Sequence, residues 1–367
     1  MKKVQIIHLI SSLKRGGAET VLATLLAQWN EPIHEHTVIY FHDGLLRAQI
    51  EQLGIKTIQL KGLMCLYDPF FLARLFYYFK KLKPTIIYSS LWAANFFGRI
   101  AAFFLRIPII CAVHAVAAHE GPLRNRLDYW CPIKPRFYVA VSTQIHANMT
   151  DKLAIHADKI RCIPNGIAPQ LIERHPNSLT RNHFWGTNHK QVFVIGTVGR
   201  LVPVKNYAVL LQAFAQLHTE HTYLRLMIVG NGLEEQNLKN LAGNLAIIHK
   251  VHFIGDQAAA EYYPLFDCFI QPSMYEGLSM ALLEALYYSL PVIVTGSEGK
   301  HEIIEQGKTG IIMSHADAQN IVHAISFLVQ QDRNFFRQIR EAGHLLVKNS
   351  FTSEKMVTRY KQFIEMI

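Results

Sequence analysis

The chain has 367 residues, of which 50% are hydrophobic and 17% are charged, and its formal net charge is +10. This composition is typical of a folded globular protein with room for two domains, and it excludes a disordered or low-complexity chain. Five cysteines, odd in number and without a CxxC pair, argue against a disulfide framework and favour a reduced, cytoplasmic protein.

The N-terminal segment is predicted to be a strand rather than a secretory signal. Its apolar run is short, and Lys14 and Arg15 stand where a cleavage site would be expected. The longest uncharged stretch, residues 84–98, is interrupted by polar side chains and is shorter than the roughly 20 apolar residues of a spanning helix. We therefore expect a cytoplasmic protein, either free in solution or peripheral on the inner face of the cell membrane.

The first half of the chain alternates short apolar runs with amphipathic ones. Strands are predicted at Val4–Ile10, Glu35–Phe41, Thr85–Ser89, Pro108–His114 and Phe137–Val141. Helices are predicted at Ala18–Trp29, Phe71–Lys83 and Ala93–Leu105. Strands that alternate with helices indicate βαβ units and a mainly parallel sheet covered on both faces.

Residues 168–191 interrupt this alternation. They are rich in Asn, His, Thr and Arg and lack an apolar period, so they are predicted to connect two domains. A second series of strands follows, at residues 192–199, 223–229, 251–254, 268–271 and 291–295. The sequence therefore predicts an α/β protein with two Rossmann-like domains, 1–167 and 192–350. Because ligands bind at the carboxyl ends of such strands, two domains facing each other would form a deep cleft.

The positive charge is confined to the first half of the chain. Residues 1–165 contain 20 Lys+Arg and 10 Asp+Glu, whereas residues 166–367 contain 17 of each class. This asymmetry predicts an anionic partner for the N-terminal domain, either nucleic acid or an acidic membrane surface.

The segment Pro69–Lys83 favours the membrane over nucleic acid, because it combines dense aromatic residues with a basic end, as interfacial helices do. The alternative is that Phe71, Leu75, Tyr78 and Leu82 form a core stripe and the lysines are simply solvated. The sequence leaves both interpretations open.

Two carboxylates flank the start of a helix predicted at Met280–Tyr288. Glu276 lies in the loop before it, where Gly277 allows a ligand to approach the backbone, and Ser279 is the predicted N-cap. The unpaired amides of that helix would face a phosphate, and Glu284 would reach a ribose or sugar hydroxyl. The alternative is that the two acids are only a solvated helix face.

Glycine-bearing turns follow several of the predicted strands. Gly16 and Gly17 follow the first strand, and Gly230 follows a strand of the second half. Arg200 and Lys205 follow another, next to Gly199, and their charges suit a diphosphate leaving group. Plain turns and solvated cations are the alternatives.

Among 19 histidines, His114 stands out because it ends a predicted strand. A histidine at a strand's carboxyl end is placed for hydrogen bonding or proton transfer, although a satisfied core histidine is the common alternative. His119 is a second candidate.

The ordered set of these segments resembles the retaining nucleotide-sugar glycosyltransferases of glycosyltransferase family 4, which have the GT-B fold. The resemblance spans nearly the whole chain. The segments that carry it are Gly16–Glu19, Ile163–Ile167, Gly199–Asn206, Val229–Gly232, Phe253–Gly255, Pro272–Ala285 and Glu302–Gly310.

The resemblance implies roles for matching positions. Arg200 and Lys205 would hold the diphosphate, Glu276 the donor sugar and Glu284 the ribose. The catalytic residues that it implies are His114, Arg200, Lys205 and Glu276. The donor-binding residues are Gly16, Gly17, Gly199, Gly230, Tyr275, Gly277, Leu278, Ser279 and Glu284. Residues 1–167 would bind the acceptor and face the membrane, and a C-terminal helix over 351–367 would cross back onto them.

The activity implied is transfer of a hexosyl or N-acetylhexosaminyl group, with retention, from a nucleotide-diphosphate sugar to a glycan or lipid-linked acceptor. A UDP-sugar donor is favoured, and the expected pathway is cell-surface polysaccharide or lipopolysaccharide synthesis. No metal is expected, since the chain contains no DxD sequence. No cofactor is expected either, and no nucleic-acid partner, because nucleic-acid binding would explain the positive charge but not the second half of the chain. The alternatives are a catalytically silent nucleotide-binding scaffold and a nucleotide-sugar epimerase.

Overall fold

The computed structural model describes residues 3–29, 31–62, 69–114, 122–151, 153–169, 179–186, 192–296 and 303–367. The chain forms two compact units. Unit 1 comprises Met1–Gly166 and Ser353–Ile367, and unit 2 comprises Ile167–Thr352. In the part of the chain that is described, no helix combines the length and the apolar character needed to cross a membrane.

Unit 1 contains a parallel sheet of seven strands in the order β3-β2-β1-β4-β5-β6-β7. The strands are β1 Val4–Ser12, β2 His34–His42, β3 Lys56–Gln59, β4 Ile86–Ser90, β5 Ile109–Val113, β6 Phe137–Ala140 and β7 Ile160–Cys162. Its helices are α1 Gly17–Gln28, α2 Leu46–Gln52, α3 Pro69–Leu82, α4 Trp92–Leu105, α5 Pro122–Trp130, α6 Thr143–Asp151 and α13 Ser353–Glu365. Strand β4 is buried along its whole length and β1 over its central five residues, as expected for a parallel sheet that helices cover on both faces.

Helix α4 packs closely on the sheet of unit 1. A Cβ added at Gly98 would lie 2.7 Å from Leu9 Cδ2 and 3.1 Å from Ile109 Cδ1, so only glycine permits this separation without movement of the core. Beside it, Phe71 of α3 is fully buried and contacts Phe41 and Phe97 edge to face. These contacts form the core on one face of the sheet.

The C-terminal helix α13 packs on strands and helices of unit 1. The Tyr360 and Tyr88 hydroxyls are 2.9 Å apart and both side chains are buried. Lys361 Nζ donates to Glu31 Oε1 at 2.5 Å, which ties α13 to the connection between α1 and β2. Unit 1 is therefore built from two separate parts of the chain.

Unit 2 contains a parallel sheet of six strands in the order β10-β9-β8-β11-β12-β13. The strands are β8 Phe193–Val198, β9 Leu224–Val229, β10 Val251–Gly255, β11 Cys268–Gln271, β12 Val292–Thr295 and β13 Ile311–Met313. Its helices are α7 Arg181–Trp185, α8 Tyr207–Glu220, α9 Glu235–Asn244, α10 Met280–Tyr287, α11 Ala318–Val329 and α12 Arg333–Ser350. The prediction of two Rossmann-like domains is confirmed.

The predicted connection 168–191 includes a helix that belongs to unit 2. In α7, Arg181 forms an ion pair with Asp267 at 2.9 Å and donates to the Leu265 carbonyl at 3.1 Å. Phe184 and Trp185 both contact the His252 ring. The polar composition of 168–191 did not predict this short helix, because α7 is held in place by contacts with residues far along the chain.

Candidate functional site

The candidate site of unit 2 lies at the carboxyl ends of β8 and β11. These strands are neighbours in the sheet, and the strand order reverses between them, which is where open α/β sheets bind ligands. The loops that leave the two strands are tied together, because Met274 N donates to the Val204 carbonyl at 2.9 Å. The predicted site residues 199–205 and 275–279 are thus brought to one edge of the sheet.

Two glycines hold the backbone turns beside this edge. Gly199 and Gly230 have φ angles of 156° and 134°, which side-chain-bearing residues rarely adopt. A Cβ added at Gly230 would lie 2.1 Å from the Gly199 carbonyl oxygen. Both predicted positions therefore require glycine for the packing of the two turns, whether or not a ligand is bound.

Lys205 and Glu276 form an ion pair between the two loops. Lys205 Nζ contacts Glu276 Oε1, and the Ser273 hydroxyl donates to the same oxygen at 3.2 Å. Their side chains are only 17% and 16% exposed. Lys205 ends a single 3-10 turn, Pro203–Lys205, and the left-handed Asn206 that follows is the N-cap residue of α8. The sequence predicts both residues at the donor site but does not predict their contact with each other.

Arg200 lies in the same loop as Lys205 and is exposed. Its guanidinium makes no hydrogen bond or ion pair with any residue that the structure describes. The backbone that carries it is fixed, because Leu201 N donates to the Asn231 carbonyl at 2.8 Å. The loop thus carries one cation without an ion pair among the described residues, Arg200, and one that is paired, Lys205.

Helix α10 begins at the predicted cap. The Ser279 hydroxyl accepts from Leu282 N at 3.4 Å, and Gly277, Leu278 and Ser279 are all buried. The half-buried Tyr275 precedes them. The N-terminus of α10 therefore follows directly on the loop that carries Glu276, and helix amides at such an end favour anions.

Glu284 is half-buried on α10 and accepts a hydrogen bond from the Tyr263 hydroxyl at 2.9 Å. Burial raises the pKa of Glu284 to about 7, although the tyrosine hydrogen bond lowers it. Neither Glu284 nor Glu276 belongs to a solvated helix face, so that alternative is wrong.

Sequence reasoning missed Tyr263. It is fully buried, and its hydroxyl also lies 3.1 Å from the Ala281 carbonyl, while its ring stacks on Tyr288 at 5.2 Å. It lies 21 residues from Glu284 in an aromatic segment before β11, and no local pattern links the two positions.

The remaining predicted residues lie in unit 1. A Cβ at Gly16 would meet Glu19 Oε2 at 2.4 Å, whereas a Cβ at Gly17 would meet nothing within 4 Å. His114 follows β5, and its Nε2 is buried without a hydrogen-bond partner among the described residues. Burial lowers the pKa of His114 to about 4, so the imidazole is neutral near pH 7. His119 lies outside the described residues.

Within the described ranges, no group of three or more His, Cys, Asp or Glu side chains is arranged to hold a metal ion. The described residues predicted for the site at the carboxyl edge of unit 2 include instead two cations, Arg200 and Lys205, and two carboxylates, Glu276 and Glu284. This set can bind a phosphate and hydroxyl groups together.

Comparison with known proteins places the chain in a family. The model described as "Glycosyl transferases group 1" matches residues 180–345, and that of "Glycosyltransferase Family 4" matches residues 15–171. N-acetyl-alpha-D-glucosaminyl L-malate synthase of Bacillus anthracis is 33% identical over 262 residues, which are 70% of this chain and 67% of that protein. The chain belongs to the group 1/family 4 glycosyltransferases.

Two further similarities extend over all or nearly all of this chain. The capsular polysaccharide biosynthesis glycosyltransferase CapM of Staphylococcus aureus is 26% identical over 394 residues, 100% of this chain and 99% of CapM. The crystal structure of Anabaena HepE in complex with UDP-glucose matches 99% of this chain and 100% of HepE, with 20% identity and a TM-score of 0.84. The predicted GT-B fold, family and general glycosyl-transfer activity are confirmed.

Proposed function

We propose that this glycosyltransferase moves a hexosyl or N-acetylhexosaminyl group from a UDP-sugar to a hydroxyl of a glycan or lipid-linked acceptor, with retention of configuration. The observation that carries the proposal is the grouping of Arg200, the Lys205–Glu276 pair and the α10 N-terminus at adjacent strand ends. We propose further that the product enters cell-surface polysaccharide or lipopolysaccharide synthesis.

Arg200 and Lys205 would hold the diphosphate. The exposed guanidinium of Arg200 is available to an incoming phosphate, and its planar donors suit bidentate binding. Lys205 would exchange a carboxylate for a phosphate oxygen when the donor binds. Both cations would then stabilise the negative charge that builds on the leaving group.

The two carboxylates would hold hydroxyl groups of the donor. Release of Lys205 would leave Glu276 to accept from sugar hydroxyls, with the Ser273 hydroxyl still fixing one oxygen. Glu284 would accept from the ribose hydroxyls in its ionised form. Each carboxylate oxygen only accepts hydrogen bonds, so a vicinal diol matches an ionised carboxylate well.

In the reaction, the acceptor hydroxyl would attack the anomeric carbon on the side of the leaving group. The bond from that carbon to the acceptor oxygen forms as its bond to the phosphate oxygen breaks, and the departing phosphate takes the acceptor proton. No strong base is needed, so catalysis rests on positioning and charge stabilisation. Neutral His114 would act as a hydrogen-bonding group, and no metal is required by this scheme.

The relatives support the donor and acceptor classes. HepE is seen with UDP and with UDP-glucose. A Campylobacter jejuni relative, 29% identical over 146 residues that are 39% of this chain and 39% of that protein, is named for a diphospho-undecaprenol acceptor. A UDP-sugar and a lipid-linked acceptor are therefore the first combination to test.

The experiment begins with a thermal-shift panel of nucleotides and nucleotide sugars, since a ligand of the native state raises its apparent stability. With the donor so identified, Glu284→Ala should weaken donor binding about 10- to 100-fold, because it loses charge-assisted hydrogen bonds. Arg200→Ala and Lys205→Ala should slow transfer about 100- to 1,000-fold and affect binding less.

The matched control is Lys239→Ala, which breaks the surface ion pair of Lys239 with Glu235 in α9. Full transfer activity in all three site variants would refute these assignments. Donor binding without turnover would indicate a silent scaffold, and an inverted anomeric configuration in the product, read by NMR, would exclude retention.

A further inference from the structure

Helix α3 has two apolar faces, and only one of them belongs to the core. Phe71 and Leu75 are fully buried, as the core-stripe interpretation of the sequence predicts. Tyr78 and Leu82 of that stripe are only half-buried, and Phe79, which the interpretation did not include, is fully buried. On the outer side, however, Phe70 is 75% exposed and Tyr77 is 56% exposed. The aromatic content of this helix therefore exceeds what the packing of unit 1 uses.

A second exposed aromatic pair lies at the end of the neighbouring helix. Phe103 and Phe104 of α4 are 60% and 66% exposed. The rings of Phe104 and the half-buried Phe76 lie 6.1 Å apart, so the end of α4 lies beside α3. We call the four exposed side chains the aromatic surface: Phe70, Tyr77, Phe103 and Phe104.

The charged residues of the two helices that carry the aromatic surface, α3 and α4, are all positive. The sequence from residue 69 to residue 119 contains no Asp or Glu. Lys81 Nζ lies 5.6 Å from the Tyr77 ring centre, so aromatic and cationic groups are in contact. We call the exposed cations on α3, and those directly after α3 and α4, the cationic rim: Arg74, Lys80, Lys81, Lys83 and Arg106.

We propose that the aromatic surface and the cationic rim dock unit 1 on an anionic lipid bilayer. Aromatic side chains bury well at the level of lipid headgroups, and Lys and Arg extend from the same helices to anionic headgroups. The surface is not a dimer interface, since two copies of a rim without acids repel each other. The inference goes beyond glycosyl transfer and uses no residue of the donor site.

The arrangement also separates a membrane from a nucleic acid as the partner. Cations alone would serve a phosphate backbone. Four large, exposed aromatic side chains on helix surfaces add apolar area that a duplex backbone does not bury, whereas the headgroup region of a bilayer does. Both aromatic and cationic substitutions should therefore reduce docking.

The test is co-sedimentation of the full chain with vesicles of phosphatidylcholine containing about a third phosphatidylglycerol, beside vesicles of phosphatidylcholine alone. Wild type should bind the anionic vesicles and be released by high salt. Replacement of three rim cations should lower the partition coefficient on the order of 100-fold. The rim variant is Lys80→Gln/Lys81→Gln/Arg106→Gln. The aromatic variant is Phe70→Ala/Tyr77→Ala/Phe103→Ala/Phe104→Ala, and its partition coefficient should fall about tenfold or more.

Matched controls replace exposed apolar and cationic residues of unit 2. They are Leu233→Ala/Phe327→Ala/Leu345→Ala and Arg333→Gln/Arg337→Gln/Lys348→Gln. Because every substituted side chain is exposed, the melting temperatures of all variants should match that of wild type. Lys205→Ala should keep full vesicle binding, so failure of docking and failure of the donor site are distinguishable.

The proposal is overturned if wild type stays in the supernatant with anionic vesicles at low salt, or if the controls lose as much binding as the surface variants. Binding to a DNA duplex that survives the aromatic substitutions, without vesicle binding, would assign the rim to nucleic acid instead. Self-association that disappears in the aromatic variant would assign the surface to a second copy.

Discussion

At the scale of single residues, the hydroxyl of Tyr263 acts on the carboxyl group of Glu284. The Tyr263 hydroxyl donates its hydrogen to Glu284 Oε2, and the two oxygens lie 2.9 Å apart. Burial raises the pKa of Glu284 to about 7, and the hydrogen bond from Tyr263 opposes that rise because it favours the ionised carboxylate. The ribose role proposed for Glu284 needs the ionised form, so donor affinity should fall as the pH drops below about 7.

Tyr263→Phe should move this pH dependence upward. Without the hydroxyl the pKa of Glu284 rises further, so the loss of donor affinity should begin at a higher pH than in wild type. Nucleotide affinity measured by calorimetry from about pH 5.5 to 9 checks the shift.

The matched control for Tyr263→Phe is Tyr288→Phe. It removes the hydroxyl of the stacked neighbouring ring, which donates to the Ala260 carbonyl at 3.1 Å. An unchanged or lowered midpoint in Tyr263→Phe would show that the tyrosine does not control the ionisation of Glu284.

At the scale of secondary-structure elements, the turns after β8 and β9 depend on glycine. Gly230→Ala would place a Cβ 2.1 Å from the Gly199 carbonyl oxygen at a φ of 134°. Steric overlap and backbone strain together should cost about 2 to 5 kcal/mol and displace the loop that carries Arg200. A lower melting temperature with weaker nucleotide binding is the expected result.

Gly243→Ala in α9 is the opposite case. No atom lies within 4 Å of a Cβ built there, and the helical backbone tolerates alanine, so the substitution should stabilise unit 2 by about 0.5 to 1 kcal/mol. Equal effects of the two substitutions on thermal unfolding would contradict the proposed packing of the turns.

Local patterns predicted the elements that position the site. The apolar run of β11 and the cap at Ser279 are visible in the sequence, and α10 begins where they place it. The Lys205–Glu276 pair joins residues 71 positions apart, and Tyr263 reaches Glu284 through space. Such contacts depend on how the strands are ordered in the sheet, which no local pattern specifies.

The short edge strands were missed for a related reason. Strand β3 has four residues, and β7 and β13 have three each, too few to show an alternating or sustained apolar pattern. On α3, periodicity identified Phe71 and Leu75 of the buried stripe but missed Phe79, and it did not reveal the exposed aromatic pair at the end of α4. The sequence left two interpretations of α3 open, a core stripe and an interfacial helix, because one side of the helix is buried and the other carries exposed aromatic and basic residues.

At the scale of the whole molecule, unit 1 is completed by a helix that the chain supplies last. Helix α13 buries Met356, Val357, Tyr360 and Phe363 against unit 1. Gly166 N also contacts Met356 Sδ at 3.3 Å, so the end of the first segment of unit 1 meets its last helix. Unit 2, in contrast, is continuous in sequence from Ile167 to Thr352.

A chain that ends at Thr352 should therefore lose unit 1 and keep unit 2. At about 1.5 to 3 kcal/mol for each large apolar side chain, removal of α13 costs an amount comparable with the total stability of a domain. Limited proteolysis with mass spectrometry should find cleavage sites throughout residues 1–166 and few in 192–352. The control is Lys361→Ala, which removes only the partly exposed ion pair with Glu31. It should lower the free energy of unfolding by about 1 kcal/mol or less.

If the shortened chain resists protease across unit 1 as well as the full chain does, α13 is not a part of the core of unit 1.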